Sequence, residues 1–360
     1  MITISGTLSK GWMHRAIGVA FDRDYYLRPD RRHAVDCLCN EYAARTFPRM
    51  NLFYSESNLG RIQYWHKDQV LIGGIQPNMI LGMLLGADFV PADDRDADIS
   101  PACLAGADPA DLPAPESLLH HNLIRLFDDQ IAQIRSSSRG RLRAIPPFFW
   151  DASGRGAIHG VLTSAQKLYG EGIFLDMVAA PRRCADILQW IADAYIVLCR
   201  HFAQAAKLTI TDVHIGECSA CMVGPVLIRK FVMPGTSAIG RALGPVRLHS
   251  CGRSTHLLET FARIEHLHSL DFGGETSLAE ARRIFGPDMP VSIAPLPRDM
   301  SAESPEPILD WARQTLRDNA GGNLTYVYHL DVGYNVETIY ALTDFLQQQP
   351  DFQDLQTERM

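Results

Sequence analysis

From about residue 87 onward, short apolar runs alternate with longer segments in which apolar residues recur at the helical period. The short runs have the length and composition of strands, and the longer segments have one apolar face, as amphipathic helices do. The predicted strands lie within 87–94, 141–151, 172–177, 208–217, 245–251, 266–273, 289–297 and 323–331. The predicted helices that follow them lie within 117–135, 156–170, 181–207, 225–243, 254–264, 277–286, 305–319 and 335–349.

Eight strand–helix units in about 260 residues favour an α/β fold of the (β/α)8 TIM-barrel type over an open doubly wound sheet. No Gly-x-Gly-x-x-Gly motif follows a predicted strand, which weakens a dinucleotide-binding interpretation. Residues 1–85 have helical patterns near 30–45 and 76–86 and no separating linker, so we expect an N-terminal helical extension packed on the barrel. The barrel is expected to span 86–348 as one catalytic domain, with a C-terminal tail at 349–360.

Composition and charge narrow the classes of function. Of the 360 residues, 46% are apolar and 21% are charged, as in a soluble globular protein, and the net charge of −7 argues against nucleic-acid binding. The start of the chain lacks the apolar core of a signal peptide, and the longest apolar stretch is too short to span a bilayer. We therefore expect a cytoplasmic protein without membrane contact. Its eight cysteines are expected to stay reduced rather than to form a disulfide scaffold.

Polar side chains of the kinds that do chemistry follow many of the predicted strands. TIM-barrel enzymes carry their active sites at the carboxyl ends of the strands, so these side chains are expected at one rim. They are Asp93, Asp94, Asp151, Asp176, Glu217, His249, Cys251, Asp271, His329 and Asp331. Asp151 and Asp176 have an alternative role as N-caps of the helices that follow them.

His249 and Cys251 are the strongest candidates for a metal site. Residues i and i+2 of a strand point to the same side, and imidazole nitrogen and thiolate sulfur are ligands that zinc prefers. The alternative is a pair of half-buried residues at a strand end. Zinc needs three or four protein ligands, and Glu217 and Cys218 end the preceding strand, which lies only about 4.8 Å away in a barrel. His329, on the last strand, would reach across the barrel mouth.

Cys218 and Cys221 form a lone Cys-x-x-Cys. This spacing is compatible with half of a structural zinc site, a redox pair or two packed thiols. Because the chain has no second Cys-x-x-Cys, a four-cysteine zinc site is not expected.

Three stretches together resemble one known family. The His249-Ser-Cys-Gly252 strand end, the segment LTSAQKLYGEGIFLDMVAAP after Gly156, and the closing helix NVETIYALTDFL are similar to motifs of the uroporphyrinogen decarboxylase superfamily. The resemblance covers most of residues 70–348 and is one of motifs and their order. It implies a TIM barrel, which agrees with the strand–helix alternation.

The superfamily has two branches that differ in chemistry. Uroporphyrinogen decarboxylases carry an arginine-rich N-terminal segment that grips substrate carboxylates, and RPDRRHAVD at 28–36 does not reproduce it. Zinc-dependent methyltransferases carry His-x-Cys followed much later by a cysteine, and His249 and Cys251 match the first part. No cysteine follows Cys251, so His329 is the first candidate to replace the last thiolate and Glu217 is the second.

The resemblance therefore implies a zinc-dependent methyltransferase. It would move a methyl group from a small donor, such as a methyl ether, methanol or a methylamine, to a corrinoid (cobalamin) protein or a thiol acceptor. Zinc would polarise the heteroatom that leaves the methyl group, or lower the pKa of a thiol acceptor. Superfamily barrels often form homodimers, so the resemblance is compatible with a homodimer, while the sequence itself does not define the oligomeric state.

Further residues complete this interpretation. A neighbouring acid would supply the proton that a departing alkoxide needs, and the candidates are Glu217, Asp151 and Asp271. Phe149 and Trp150 would form an aromatic wall for the substrate beside Asp176, unless they are ordinary barrel packing. The two alternatives are a decarboxylase without metal, which predicts an arginine-rich pocket, and a non-catalytic barrel that binds a tetrapyrrole or corrinoid.

Overall fold

The structure is a computed structural model that describes residues 1–50, 52–53, 68–138 and 140–353. The strands are β1 Ile2–Leu8, β2 Leu52–Phe53, β3 Gln69–Leu71, β4 Phe89–Val90, β5 Asp98–Ile99, β6 Arg143–Ile145, β7 Arg155–His159, β8 Asp212–Gly216, β9 Val246–Ser250, β10 Leu267–Gly273, β11 Val291–Ala294 and β12 Leu324–Leu330. The helices are α1 Lys10–Ile17, α2 Arg23–Leu27, α3 Pro29–Thr46, α4 Pro77–Leu84, α5 Asn122–Ser137, α6 Val161–Tyr169, α7 Gly172–Ala179, α8 Pro181–Ala206, α9 Pro225–Leu227, α10 Met233–Leu243, α11 Leu258–Phe261, α12 Leu278–Phe285, α13 Pro297–Met300, α14 Glu306–Asn319 and α15 Val336–Gln347.

Eight strands form one curled parallel sheet in the order β2-β1-β12-β11-β10-β9-β8-β7. Helices follow the strands and cover the outer face, as α8 does with one fully buried stripe that includes Cys184 and Cys199. The expected TIM-barrel fold is confirmed. A parallel sheet brings the carboxyl ends of its strands to one rim, which is where a barrel places its site. Within the described residues, no helix is both long and apolar enough to cross a membrane.

The N-terminal segment is part of the sheet, which corrects the predicted extension at 1–85. β1 pairs with β12 on one side and with β2 on the other, and every residue of β1 is buried. The hydroxyl of Thr3 donates to that of Thr325 at 2.9 Å inside the barrel. Alternate residues of β1 are polar because they face a polar barrel interior rather than solvent.

One predicted strand is wrong, and two others form outside the main sheet. Residues 172–177 belong to α7, where Ile173 and Met177 are buried one helical turn apart while Leu175 and Val178 are exposed. A short apolar run does not distinguish a strand from a helix, and here the helical period decides. Residues 87–94 contain only β4, which pairs antiparallel with β5 outside the main sheet. Residues 141–151 contain only β6, which pairs with β3 outside the main sheet. Among the strands of the main sheet, β1 and β2 were not predicted, and β7 lies at the start of what was predicted as a helix over 156–170.

Candidate metal centre

The rim between β8 and β9 carries the candidate site. The two strands are parallel neighbours, with Gly216 opposite His249, and the backbone N–H of Glu217 donates to the carbonyl of His249 at 2.8 Å. After Glu217 the chain enters a 3-10 turn, Cys218–Met222. This turn therefore starts beside the end of β9, so the Cys218 side chain comes close to the His-x-Cys pair.

Cys218, His249 and Cys251 form the group that is suited to a metal ion. One ligand atom from each residue lies within 4.8 Å of the other two. Two ligand atoms on the same tetrahedral zinc are about 3.5 Å apart, given zinc–sulfur and zinc–nitrogen bonds of about 2.3 and 2.0 Å. Side-chain adjustments of about 1 Å would therefore bring the three atoms to zinc-binding separations. The soft sulfur and nitrogen donor set fits zinc.

Asp271 orients the imidazole of His249. It lies opposite His249 in the sheet register, and its Oδ2 is 2.9 Å from His249 Nδ1 and 2.9 Å from the Arg247 guanidinium. Because Nδ1 faces this carboxylate, Nε2 is the nitrogen left for a metal. A carboxylate behind a ligating histidine fixes the ring orientation and makes the ligand more basic.

The charged groups at the site shift one another's pKa values. Burial disfavours the charged form of His249, but the Asp271 carboxylate outweighs this and raises the pKa of His249 to about 9. Burial would raise the pKa of Asp271, yet Arg247 and His249 hold it well below its usual range. Hydrogen bonds from the Cys218 thiol and from His249 lower the pKa of Cys251. This shift favours the thiolate form of Cys251, which is the form that binds metals.

Glu217 is not in this group, contrary to its prediction as a ligand. Its carboxylate accepts hydrogen bonds from the backbone N–H of Thr163 at 2.8 Å and of Leu162 at 3.3 Å, and from the Thr163 hydroxyl. These N–H groups belong to the first turn of α6, so Glu217 caps that helix. A Cβ at Gly160 would lie 2.0 Å from the carboxylate. The glycine therefore leaves room for the Glu217 side chain.

Burial raises the pKa of Glu217 to about 7, which predicts a pH-dependent stability. In the unfolded chain, the Glu217 carboxyl has a lower pKa and binds its proton more weakly than in the folded protein. The free energy of unfolding therefore falls as pH rises from 4.5 to the folded pKa, by about 3 kcal/mol. Glu217→Gln is expected to remove that fall. Urea unfolding of metal-free protein at pH 4.5 and pH 8 measures it, with the exposed Glu259→Gln as control. Equal pH dependence in wild type and Glu217→Gln contradicts the expectation.

His329 is also outside the group, which corrects its prediction as the third ligand. It ends β12, opposite Thr7 of β1, and its Nδ1 hydrogen-bonds the Thr7 hydroxyl. Three sheet positions separate β12 from β9, so His329 stands across the barrel mouth. Cys218, rather than His329, is the third residue of the group.

Asp151 and Asp176 lie away from the rim, against prediction. Asp151 precedes β7 and pairs with Arg155 at the amino-terminal end of that strand, with Oδ2 2.8 Å from the Arg155 Nε. The side chain therefore lies at the opposite end of the barrel from the metal group. Asp176 is on α7, where it pairs with Arg183. Both are structural ion pairs in this fold.

The predicted aromatic wall is a buried feature close to the site. Phe149 and Trp150 are both almost fully buried, and they line a small cavity of about 50 Å³ together with Phe148 and Ala157. The Trp150 ring is 4.4 Å from that of His214, and the His214 ring is 5.7 Å from that of His249. A stack of three rings therefore joins the wall of this cavity to the metal group.

Sequence reasoning missed two histidines. His159 ends β7 and His214 lies in β8, and among the described residues no partner binds His159 Nδ1 or either ring nitrogen of His214. Burial lowers the pKa of His159 to about 4 and that of His214 well below its usual value. Both rings are therefore neutral hydrogen-bonding groups at neutral pH. The signal was their alternation with small residues, Ala157 and Gly216, on the inner strand faces.

The fold and this site define a TIM-barrel protein whose strand ends gather a Cys–His–Cys group. A family model described as "Uroporphyrinogen decarboxylase (URO-D)" matches residues 156–344, just over half of the chain. The chain therefore belongs to the uroporphyrinogen decarboxylase family, as its motifs predicted. No match was found among curated proteins.

Solved structures agree with the fold. A "methyltransferase from Methanosarcina mazei" superposes with a TM-score of 0.63 and 14% identity, over 95% of this chain and 94% of that one. A "B12-independent methionine synthase from Shewanella sp. W3-18-1 in complex with Selenomethionine" gives a TM-score of 0.47 and 10% identity, over 96% and 97%. At such identities the first likeness establishes the fold alone. Family membership favours an enzyme.

Proposed function

We propose that this protein is a zinc-dependent methyltransferase that moves a methyl group from a small donor to a corrinoid protein or a thiol acceptor. The observation that carries the proposal is the approach of one ligand atom each from Cys218, His249 and Cys251 to within 4.8 Å. Three protein ligands with one open position are typical of a catalytic zinc site. When bound there, zinc would act as a Lewis acid toward the heteroatom of the donor or acceptor.

The protein's own residues prepare this site in two ways. The Asp271 carboxylate lies 2.9 Å from Nδ1 of His249, which leaves Nε2 as the nitrogen available to a metal. Hydrogen bonds from Cys218 and His249 favour the thiolate form of Cys251, so this ligand needs little deprotonation on metal binding, whereas Cys218 and the His249 imidazolium would each release a proton. The three residues of the group come from the ends of neighbouring strands. Metal binding therefore needs no rearrangement across the barrel.

Glu217 is the best of the three acids predicted to supply a proton. Its pKa of about 7 suits proton transfer at neutral pH, and it adjoins Cys218 in the chain. Asp271 stays ionised, since its pKa is held low by Arg247 and His249. Asp151 is bound to Arg155 at the other end of the barrel.

The ion pairs inside the barrel give less support to a metal-free decarboxylase. That alternative predicts guanidinium groups directed at substrate carboxylates. Arg155 and Arg247 point into the barrel, and each binds an aspartate, Asp151 and Asp271. Their charge is therefore already neutralised by the protein.

Metal content tests the proposal. We expect about one zinc per chain in untagged wild-type protein, and its loss in a His249→Ala, Cys251→Ser double variant, because two of three ligands are removed. Elemental mass spectrometry after zinc loading and dialysis measures it. Cys103→Ser is a matched control, since this half-buried thiol is outside the group. A wild-type protein that holds no zinc after loading and dialysis would contradict the zinc mechanism.

Methyl transfer is the second test. Wild-type protein is incubated with free cob(I)alamin and methanol, methylamine or an aromatic methyl ether, and the absorption of methylcobalamin is followed. We expect turnover with at least one donor and none in the double variant. Zinc binding without any transfer, also to a simple thiol such as 2-mercaptoethanol, would favour a non-catalytic barrel.

A further inference from the structure

Cys221 is a thiol next to the metal group for which the proposed function has no role. It lies three residues after Cys218 in the 3-10 turn Cys218–Met222. Side chains at i and i+3 of a 3-10 helix eclipse one another, so the two thiols leave the turn on the same side. Cys218 already faces His249 and Cys251, and the turn therefore directs Cys221 toward the same part of the rim.

The residue after Cys251 makes room for this thiol. A Cβ at Gly252 would lie 2.4 Å from the Cys221 sulfur and 3.0 Å from the Cys221 Cβ. Any other residue at position 252 would push Cys221 away from the His-x-Cys pair.

We propose that Cys221 is a fourth metal ligand, which completes a Cys3His shell when no substrate is bound. The inference rests on the metal site of the proposed function. Cys221 is outside the group whose atoms lie within 4.8 Å of one another, so its sulfur must turn toward the metal. It is half-buried at the surface end of a short turn, where a change of rotamer is unobstructed by core packing.

Cobalt substitution counts the thiolates directly. Co(II) replaces zinc in tetrahedral sites, and each coordinated thiolate adds to the sulfur-to-cobalt charge-transfer absorption. In Cys221→Ser the absorption per bound cobalt is expected to fall by about one third, since one of three thiolates is lost. Cys218→Ser gives the same fall, and Cys103→Ser none. An unchanged spectrum in Cys221→Ser overturns the inference but leaves the metal site intact.

Alkylation of wild-type protein gives a second answer that needs no variant. Iodoacetamide modifies free thiolates, so a coordinated cysteine reacts slowly. We expect zinc to slow the modification of Cys221 at least about tenfold, as measured by peptide mass spectrometry with Cys103 as internal reference. Zinc protection of Cys218 and Cys251 without protection of Cys221 contradicts the inference. A wild type that binds neither cobalt nor zinc overturns the proposed metal site and this inference together.

Discussion

Asp271→Asn is expected to lower the free energy of unfolding by about 3–5 kcal/mol, because it leaves the buried Arg247 guanidinium without its counter-ion. The Asp271 and Arg247 side chains are only 5% and 6% exposed, and Asp271 Oδ2 binds both Arg247 and His249 at 2.9 Å. Asparagine keeps the shape of the side chain, removes the charge and replaces one acceptor oxygen by an NH2 donor. The loss is therefore electrostatic, with little contribution from a cavity.

Urea unfolding of metal-free protein at neutral pH measures this effect. Asp310→Asn is the matched control, because it breaks an exposed pair with Arg313 and such pairs contribute little. Replacing Arg247 by Met in the Asp271→Asn background should recover part of the stability, since the uncompensated charge is then gone. Equal stabilities of Asp271→Asn and Asp310→Asn would contradict the prediction. In the proposed zinc site, Asp271→Asn should also weaken zinc binding about 10- to 100-fold.

Gly273→Ala is expected to damage the site through the backbone. A Cβ at position 273 would lie 1.9 Å from the carbonyl oxygen of Cys251 and 2.8 Å from its carbonyl carbon. The end of β10 or the Cys251 backbone must move, and overpacking of this kind costs about 1–3 kcal/mol. Because Cys251 carries the thiolate of the metal group, the same shift should weaken zinc binding at least about tenfold.

Gly172→Ala separates this effect from a general effect of removing glycine. Gly172 is the first residue of α7, and a Cβ there meets no atom within 4 Å. This control should leave both stability and zinc affinity close to wild type. Thermal unfolding with and without zinc tests both variants. A Gly273→Ala protein with wild-type stability and zinc affinity would show that β10 and β9 can separate at the rim without cost.

The sequence predicted the fold class from its second half. β8 to β12 lie within the apolar runs expected of strands buried on both faces. β1 was not predicted because Thr3, Ser5 and Thr7 alternate with its apolar residues. These three side chains face the polar interior of the barrel, which the sequence alone does not show. The run at 172–177 was mistaken for a strand because six residues are too few to show the helical period.

The candidate site was predicted in part. His249 lies in β9 and Cys251 directly follows the end of that strand at Ser250, and the pair stays close, as the two-residue period of a strand predicts. Glu217 and Cys218 are adjacent and were both placed near the metal, yet only the local turn decides that Cys218 faces the group while Glu217 caps α6. Asp151 was assigned to the end of a strand, whereas β6 ends at Ile145 and Asp151 precedes β7. An error of a few residues thereby moved it to the wrong end of the barrel.

The order along the chain of the three residues of the proposed zinc site matters for recognising related proteins. In the zinc-dependent methyltransferases that this sequence resembles, a cysteine follows the His-x-Cys pair, and here Cys218 precedes His249 with 30 residues between them. The barrel tolerates either order because every strand end opens onto the same rim. A pattern that demands a late cysteine would pass over this chain and any homologue built like it. The pattern Cys-x30-His-x-Cys-Gly, read on two consecutive strands, would find them.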